Sequence, residues 1–486
     1  MILYLIELFI AGVLLFKFLD DQLPSPIQVV SGILLGYLLH VLNGIVLIGV
    51  GIGLSTASVV ILASLECVGF GIGLALKRKP ENWLKSVFSV DFWIVGLIYF
   101  ALLFVFYKLN LSFITNDSLY LILFGQDLVQ SGFSEWYFAS PGWTGVYIPM
   151  IQTIGMLFGQ DYVWFVQPIM SIILYISLAY FGYRSVSRFI AGKWVAGLLV
   201  AATLFIFISS NLPLAMLVYI HTNLSSGLFL FLGVVSLYFA VEDKQDGWLI
   251  LSCFSLISFS LLRIENVLVA LSVVFIYFSS GKLKREQELK AFVPYLLVQS
   301  IWLLVVLSQN YVTYLDTLSK EQILVIFTAC IGMLVLVFIR QWRFIDKVVG
   351  WVGKVFPVLF LLGWSILGIL NPTAFVTNIR SVSSNLFITG NWSAFWWVTV
   401  GLAIISAFHS RFPQKRILLD IVLTFVMIVQ ILGFFRSPYH GRWFDSANRM
   451  MIHIAPLFLF FVVTQVAKTG GYILDRKSGQ DVSEIS

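Results

Sequence analysis

The chain has 486 residues, of which 59% are hydrophobic and 11% charged, with a formal net charge of +6 and a mean hydropathy of +0.95. Soluble domains carry about 25% charged residues, so the composition excludes an ordinary soluble enzyme, and so small a positive balance calls for no nucleic-acid partner. Apolar runs long enough to cross about 30 Å of hydrocarbon recur from end to end, and they are continuous rather than alternating, which excludes a β-barrel.

The expected fold is therefore an all-α polytopic membrane protein of about 13–15 transmembrane helices. Candidate spans lie near 1–18, 27–53, 56–76, 88–107, 162–182, 194–210, 223–240, 247–262, 265–280, 291–309, 321–339, 351–370, 394–409, 417–435 and 451–467. The first run lacks a basic leader and a small-residue cleavage site, and reads as a retained span. In the N-terminal spans, Gly49 with Gly53 and Gly69 with Gly73 have the spacing that packs helices backbone to backbone. Glu66 is the acid most deeply placed in a span, where such groups are costly and need a partner or a tilt towards water. Cys67, Cys253 and Cys330 sit in apolar runs and read as small hydrophobes.

Lys and Arg set the sidedness. Strict alternation of the spans puts 22 of the 30 basic residues on one side and seven on the other, with Lys17 at the end of the first span. The basic side is cytoplasmic by the positive-inside rule. The outward side then holds one long loop, 108–161, and two medium loops, 371–393 and 436–450.

The long loop opens with "TNDSLYLILFGQDLVQSG", which carries Asp117 and Asp127. Residues 118–131 are too short to span. Gln126, Asp127 and Gln130 share one helical face and Leu121, Phe124 and Leu128 another, the pattern of a helix lying in the interface. Asn116, Asp117 and Ser118 precede it, so Asp117 has two readings, a helix cap or a functional carboxylate. Beyond it, Glu135 stands among Trp136, Tyr137, Trp143, Tyr147 and Tyr162, rings that stack on sugars or anchor at a membrane surface. Residues 144–158 form an apolar patch suited to a second interface helix or a re-entrant turn.

Here the order of features resembles the GT-C glycosyltransferases of the protein O-mannosyltransferase and aminoarabinose-transferase type. The similar elements are a span, an outward Asp117, a helix with Tyr120 three residues on and Gly132 fifteen on, then "LFGQDYVWFVQPIMSIIL" and "RFIAGKWVAGLLVAATL". "LLRIENVL" and "ANRMMIHIAPLFLFF" agree in place and character. The chain has Asp117-Ser118 where many members have Asp-Glu, and "ASPGWTGVY" where they have Lys-Pro-Pro. The resemblance implies N-terminal helices over 1–87, a catalytic module over 88–290 and C-terminal helices over 291–486. It further implies transfer of a sugar, with inversion, from a polyprenyl-phosphate donor to a glycan, lipid or protein acceptor on the outer face of a bacterial inner membrane.

Such transfer needs a carboxylate to take the acceptor's proton, and Asp117 is the matching position. The leaving phosphate needs Arg or Lys. Arg263, Arg442 and Arg449 are outward and close to span ends, with Arg449 the strongest candidate; each also fits headgroup anchoring. Glu265 is read as the ion-pair partner of Arg263 or a second acid, the pair being favoured. His440 in "SPYHGRWFD" has the chemistry for phosphate or a metal, and His221 in "VYIHTN" is a weaker candidate. Tyr120, Asp127, Glu135 and Trp143 complete the expected substrate contacts. No ligand spacing forms a metal site; no cofactor is required and a divalent ion stays open. The rival readings are a lipid-linked-glycan flippase or transporter, which calls for repeats and broken helices, and a polysaccharide polymerase of another fold.

Overall fold

The computed structural model describes residues 1–20, 22–77, 89–140, 145–309, 319–409, 416–435, 439–443 and 445–477. The protein is an all-α polytopic membrane protein. Among the described residues there is no strand, and ten helices are long and apolar enough to cross a membrane.

The helices α1 (Ile2–Leu19), α2 (Ser25–Gly49), α3 (Thr56–Lys77) and α4 (Val90–Leu109) come first. The long loop folds as α5 (Asn116–Gln130), the short α6 (Glu135–Ala139) and α7 (Tyr147–Leu157). There follow α8 (Val166–Val186), α9 (Lys193–Ile208), α10 (Asn211–Met216), α11 (Asn223–Asp243), α12 (Gly247–Leu262), α13 (Asn266–Ser280), α14 (Arg285–Ser308) and α15 (Lys320–Ile339). Last are α16 (Arg343–Leu370), α17 (Pro372–Ser384), a π-helical turn (Asn385–Thr389), α18 (Phe395–His409), α19 (Arg416–Phe435) and α20 (Ser446–Lys477).

Ten expected spans pass on length and apolarity, and the bent pair Arg343–Phe356 and Val358–Leu370 makes an eleventh if taken as one. The other four, α9, α12, α13 and α18, are apolar helices of 15 or 16 residues, about 24 Å at most. The medium loop expected over 371–393 is largely helical. Pro372 fits the first turn of α17, where its missing N–H costs nothing, and the Asn371 Oδ1 accepts from the Ala374 N–H at 3.1 Å.

The chain divides into two compact units. The first comprises Met1–Ile169, Val218–Thr222 and Leu232–Gly350, and the second Met170–Leu217, Asn223–Phe231 and Trp351–Ser486.

In the first unit α1 lies against α2 at backbone contact. A Cβ on Gly12 would sit 1.9 Å from the Gly32 carbonyl oxygen, and one on Gly36 would sit 2.3 Å from that of Leu8. The small-residue seam is thus Gly12 against Gly32 and Gly36, not the pairs expected from spacing. A Cβ on Gly49, Gly53 or Gly69 meets nothing within 4 Å, and one on Gly73 meets only the Phe18 ring. The glycines after α2 serve a turn instead: Gly51 and Gly53 have φ of +79° and +74°, which L side chains rarely adopt.

The first unit has two distinct ends. At one, the Lys77 ammonium donates to the Phe18 carbonyl at 2.6 Å, and Gly247 at the start of α12 faces the Asp20 carboxylate after α1. Lys290 pairs with Asp246 at 2.5 Å, close to that same start of α12. At the other, Ile2 and Leu5 of α1 line one cavity with Phe104 and Tyr107 of α4, and α12 ends at Leu262, whose neighbour Leu261 accepts from the Val146 N–H at 3.0 Å. The basic residues Lys77 and Lys290 therefore gather at one end, while the Asp117 loop and the Arg263 turn leave from the other.

In the second unit α20 is the core. Gly227 of α11 approaches the Ile452 carbonyl, where a Cβ would stand 3.0 Å away. Val463 and Ala467 of α20 close a cluster with Val186, Ala196 and Val200.

Candidate functional site

The first turn of α5 sets the surroundings of Asp117. Thr115 is the N-cap, and its N–H donates to the Ser118 Oγ at 3.3 Å, one arm of a capping box. Asp117 is inside the helix, in the first turn, where negative charge suits the dipole. The cap is therefore Thr115 with Ser118 and not Asp117, because the helix already starts at Asn116. The Asp117 side chain is 45% exposed.

Residues about a hundred positions away meet Asp117. The Phe113 N–H donates to the Val218 carbonyl at 3.0 Å, and Phe113 and Tyr219 form a parallel bridge. This zips the segment before α5 to 218–222. The Tyr219 hydroxyl lies 2.7 Å from the Thr115 Oγ1 and donates to the Asp117 Oδ2 at 3.4 Å. His221 brings Nε2 to 3.7 Å from the same oxygen. Sequence reasoning missed Tyr219 and underweighted His221. The available signal was "VYIHTN", a polar and aromatic break between two apolar runs, on the same side as Asp117 by span alternation.

The rest of α5 is an anchored rod. Leu121, Phe124, Gly125 and Leu128 form its buried stripe. A Cβ on Gly125 would stand 2.8 Å from both the Pro149 carbonyl and the Gln152 Cβ, so glycine lets α5 touch α7. Residues Tyr147–Gly155 of α7 are all buried, which makes α7 an enclosed helix rather than one lying open at an interface. The Gln152 amide clasps the next loop, accepting from the Val163 N–H at 2.7 Å and donating to its carbonyl at 3.1 Å.

Asp127 does not join Asp117. Asp127 lies ten residues along α5, about 15 Å away, and accepts from the Ser134 hydroxyl. Ser134 in turn caps α6 by accepting from the Tyr137 N–H at 3.0 Å. Asp127 thus ties the two helices together. Tyr120 is half-buried one turn beyond Asp117, its ring 6.2 Å from that of Phe124. Glu135 is exposed on α6, whereas Tyr137 and Tyr147 are wholly buried and closed to a sugar. Trp143 lies outside the described residues.

Arg263 and Glu265 form the favoured ion pair. The guanidinium Nη2 is 2.7 Å and Nε 2.9 Å from the Glu265 Oε1, with side-chain exposures of 10% and 1%. They occupy the turn between α12 and α13, at the same end of the unit as the Asp117 loop.

At that end also, an apolar cavity of about 280 Å³ opens between the start of α1 and the last turns of α4, lined by Ile2, Leu5, Phe100, Leu103, Phe104, Tyr107 and Phe165, among others. Aromatic and hydrogen-bond contacts lead from it to the Asp117 segment. Trp164 stacks on Tyr107 at 5.4 Å and donates to the Phe106 carbonyl at 3.1 Å. Tyr162 meets Trp164 edge-on at 5.5 Å and lies 3.4 Å from the Ser112 hydroxyl.

Three expected residues belong to the second unit. His440 is held by its backbone: the Asn385 amide donates to the His440 carbonyl at 3.0 Å, and Asp445 accepts from the His440 N–H at 3.0 Å. Asp445 also accepts from the Ala447 N–H at 3.0 Å, at the start of α20. The side chains of His440 and Arg442 are exposed, and Arg449 is half-buried in the first turn of α20.

Among the described residues no three His, Cys, Asp or Glu side chains are grouped to hold a metal ion. Comparison with protein-family models, with curated proteins and with solved structures finds no match to this chain.

Proposed function

We propose that the protein is a membrane glycosyltransferase that moves a hexose or pentose from a polyprenyl-phosphate donor to an acceptor hydroxyl, on the outer face of a bacterial inner membrane. The observation that carries this reading is Asp117: a carboxylate half-exposed at a helix start, with Tyr219 and His221 directed at one of its oxygens. In the reaction the acceptor O–H gives its proton to the carboxylate while its oxygen attacks the anomeric carbon. The bond from that carbon to the phosphate oxygen breaks, and the donor leaves as polyprenyl phosphate. Attack opposite the leaving group inverts the anomeric centre.

Three further features support the reading. Asp117 and Arg263 lie at the end of their unit opposite the gathered basic residues, as an outward site requires. The apolar cavity at that end has the chemistry of a prenyl chain. Arg442, Arg449 and His440 supply the groups a phosphate needs; they belong to the second unit and are assigned this role on chemistry alone.

The test is full-length protein in nanodiscs, given a panel of radiolabelled polyprenyl-phosphate hexoses and pentoses, as wild type and Asp117→Asn. The wild type is expected to move label from at least one donor, and the variant to lose about 10²–10⁴-fold in rate while keeping its melting temperature. Transfer that survives the substitution removes Asp117 as the base. Lipid scrambling without transfer from any donor replaces the enzyme with a flippase.

A further inference from the structure

Tyr219 and His221 arrive at Asp117 by a mechanism that fixes their register. The bridge to Phe113 pins Tyr219 beside the start of α5, and the Tyr219 hydroxyl and the His221 Nε2 both reach the Asp117 Oδ2. Their rings are stacked, 5.1 Å between centroids and 18° between planes. Both residues are nearly enclosed, at 1% and 7% exposure, whereas Asp117 is open.

With its proton directed at the Asp117 Oδ2, the Tyr219 Oη is left to accept from the Thr115 hydroxyl. The Thr222 Oγ1 is 3.3 Å from the His221 Nδ1, and the other ring nitrogen, Nε2, is the one that faces the carboxylate, 3.7 Å from its Oδ2. One hydrogen-bond donor, the Tyr219 hydroxyl, and one imidazole nitrogen thus converge on one oxygen of a carboxylate whose own torsion is soft.

We propose that Tyr219 and His221 are positioning residues for Asp117, holding its carboxylate in the orientation that receives the acceptor's proton. This rests on the reading of Asp117 as base. Geometry of this kind acts on the chemical step, so losing it lowers kcat and leaves donor binding alone. A purely structural Tyr–His pair would instead lower the amount of folded protein and spare the turnover of what remains.

The experiment compares His221→Ala, His221→Gln and Tyr219→Phe with wild type, in nanodiscs, on whichever polyprenyl-phosphate sugar the panel identifies. His221→Ala is expected to lower kcat about tenfold to a hundredfold with donor KM within about twofold. His221→Gln carries an N–H near the position of Nε2 and is expected to recover most of the loss. Tyr219→Phe is expected to cost about tenfold in kcat. A fully active His221→Ala, or a Gln variant no better than the Ala one, overturns the proposal and leaves the Asp117 reading standing. A wild type that moves no sugar takes down both.

Should the Ala variant fail to fold, ¹⁵N-histidine spectra decide. The chain has five histidines, and His221→Gln identifies one resonance pair. Asp117→Asn is expected to shift the Nε2 signal of that pair and leave the other four histidines in place. An unmoved signal overturns the proposal.

Discussion

Glu265 grips Arg263 through a single carboxylate oxygen, 2.7 Å from Nη2 and 2.9 Å from Nε, with both residues buried. Removing one partner of such a pair strands a buried charge and costs about 3–5 kcal/mol, whereas replacing both by apolar residues is often neutral. Glu265→Ala is therefore expected to lower the melting temperature in detergent sharply, and Arg263→Met with Glu265→Leu to restore it. The double variant also separates fold from function. If Arg263 serves the donor phosphate, the restored protein binds polyprenyl phosphate at least tenfold more weakly. Unchanged binding would make the pair structural only.

The seam between α1 and α2 gives a second prediction. Gly36 faces the Leu8 carbonyl with no room for a Cβ, and overpacking of a tight contact costs about 1–3 kcal/mol or more. Gly36→Leu is expected to abolish accumulation of folded protein in the membrane. Gly49→Ala and Gly69→Ala, at positions that meet nothing within 4 Å, are expected to leave yield and melting temperature unchanged. Size-exclusion profiles after detergent extraction check all three.

Much of the fold was legible in the sequence because span length and apolarity are local properties. The fifteen apolar runs became helices, and the amphipathic stripe Leu121, Phe124, Leu128 correctly marked the buried face of α5. What misled was contact. Gly32 and Gly36 have the same four-residue spacing as Gly49 and Gly53, and only the partner, Gly12 on another helix, distinguishes a seam from a turn. The site shows the same division. Asp117 could be found from its place in a loop, and the Arg263–Glu265 pair from its spacing. For Tyr219 the break "VYIHTN" marked the loop but not the contact, because its approach to Asp117 depends on a single backbone bridge to Phe113, over a hundred residues away in sequence. Asp127 looked equivalent to Asp117 on polarity, yet its partner Ser134 places it in the support of α6.

Arg449 tests the phosphate assignment in the second unit. It is half-buried in the first turn of α20, while Arg442 in the preceding loop is exposed. An exposed charge contributes at most about 1 kcal/mol to stability, so Arg442→Ala is expected to fold normally. Arg449→Ala is expected to fold as well and to raise donor KM or lower kcat by about tenfold or more, since hydrogen bonds to charged groups contribute about 1.5–3 kcal/mol. Failure of Arg449→Ala to accumulate would assign the residue to the structure of α20. Normal kinetics would remove it from the site.

The cavity between α1 and α4 offers a test that does not touch any charged group. Leu103 is 8% exposed and lines it, while Leu97 on the same helix is 73% exposed. A prenyl chain leaving the bilayer for this cavity is held by packing contacts of about 0.1–0.2 kcal/mol per atom pair, so losing on the order of ten of them weakens donor binding about tenfold. Leu103→Trp fills the space and is expected to raise KM for a long-chain polyprenyl-phosphate donor by about that factor. Leu97→Trp adds the same ring to the lipid-facing side and is expected to change nothing. A water-soluble short-chain donor, which cannot reach the cavity, is expected to show equal KM with wild type and both variants. Equal KM for the long-chain donor as well would mean that its tail lies elsewhere, and that this cavity holds ordinary membrane lipid.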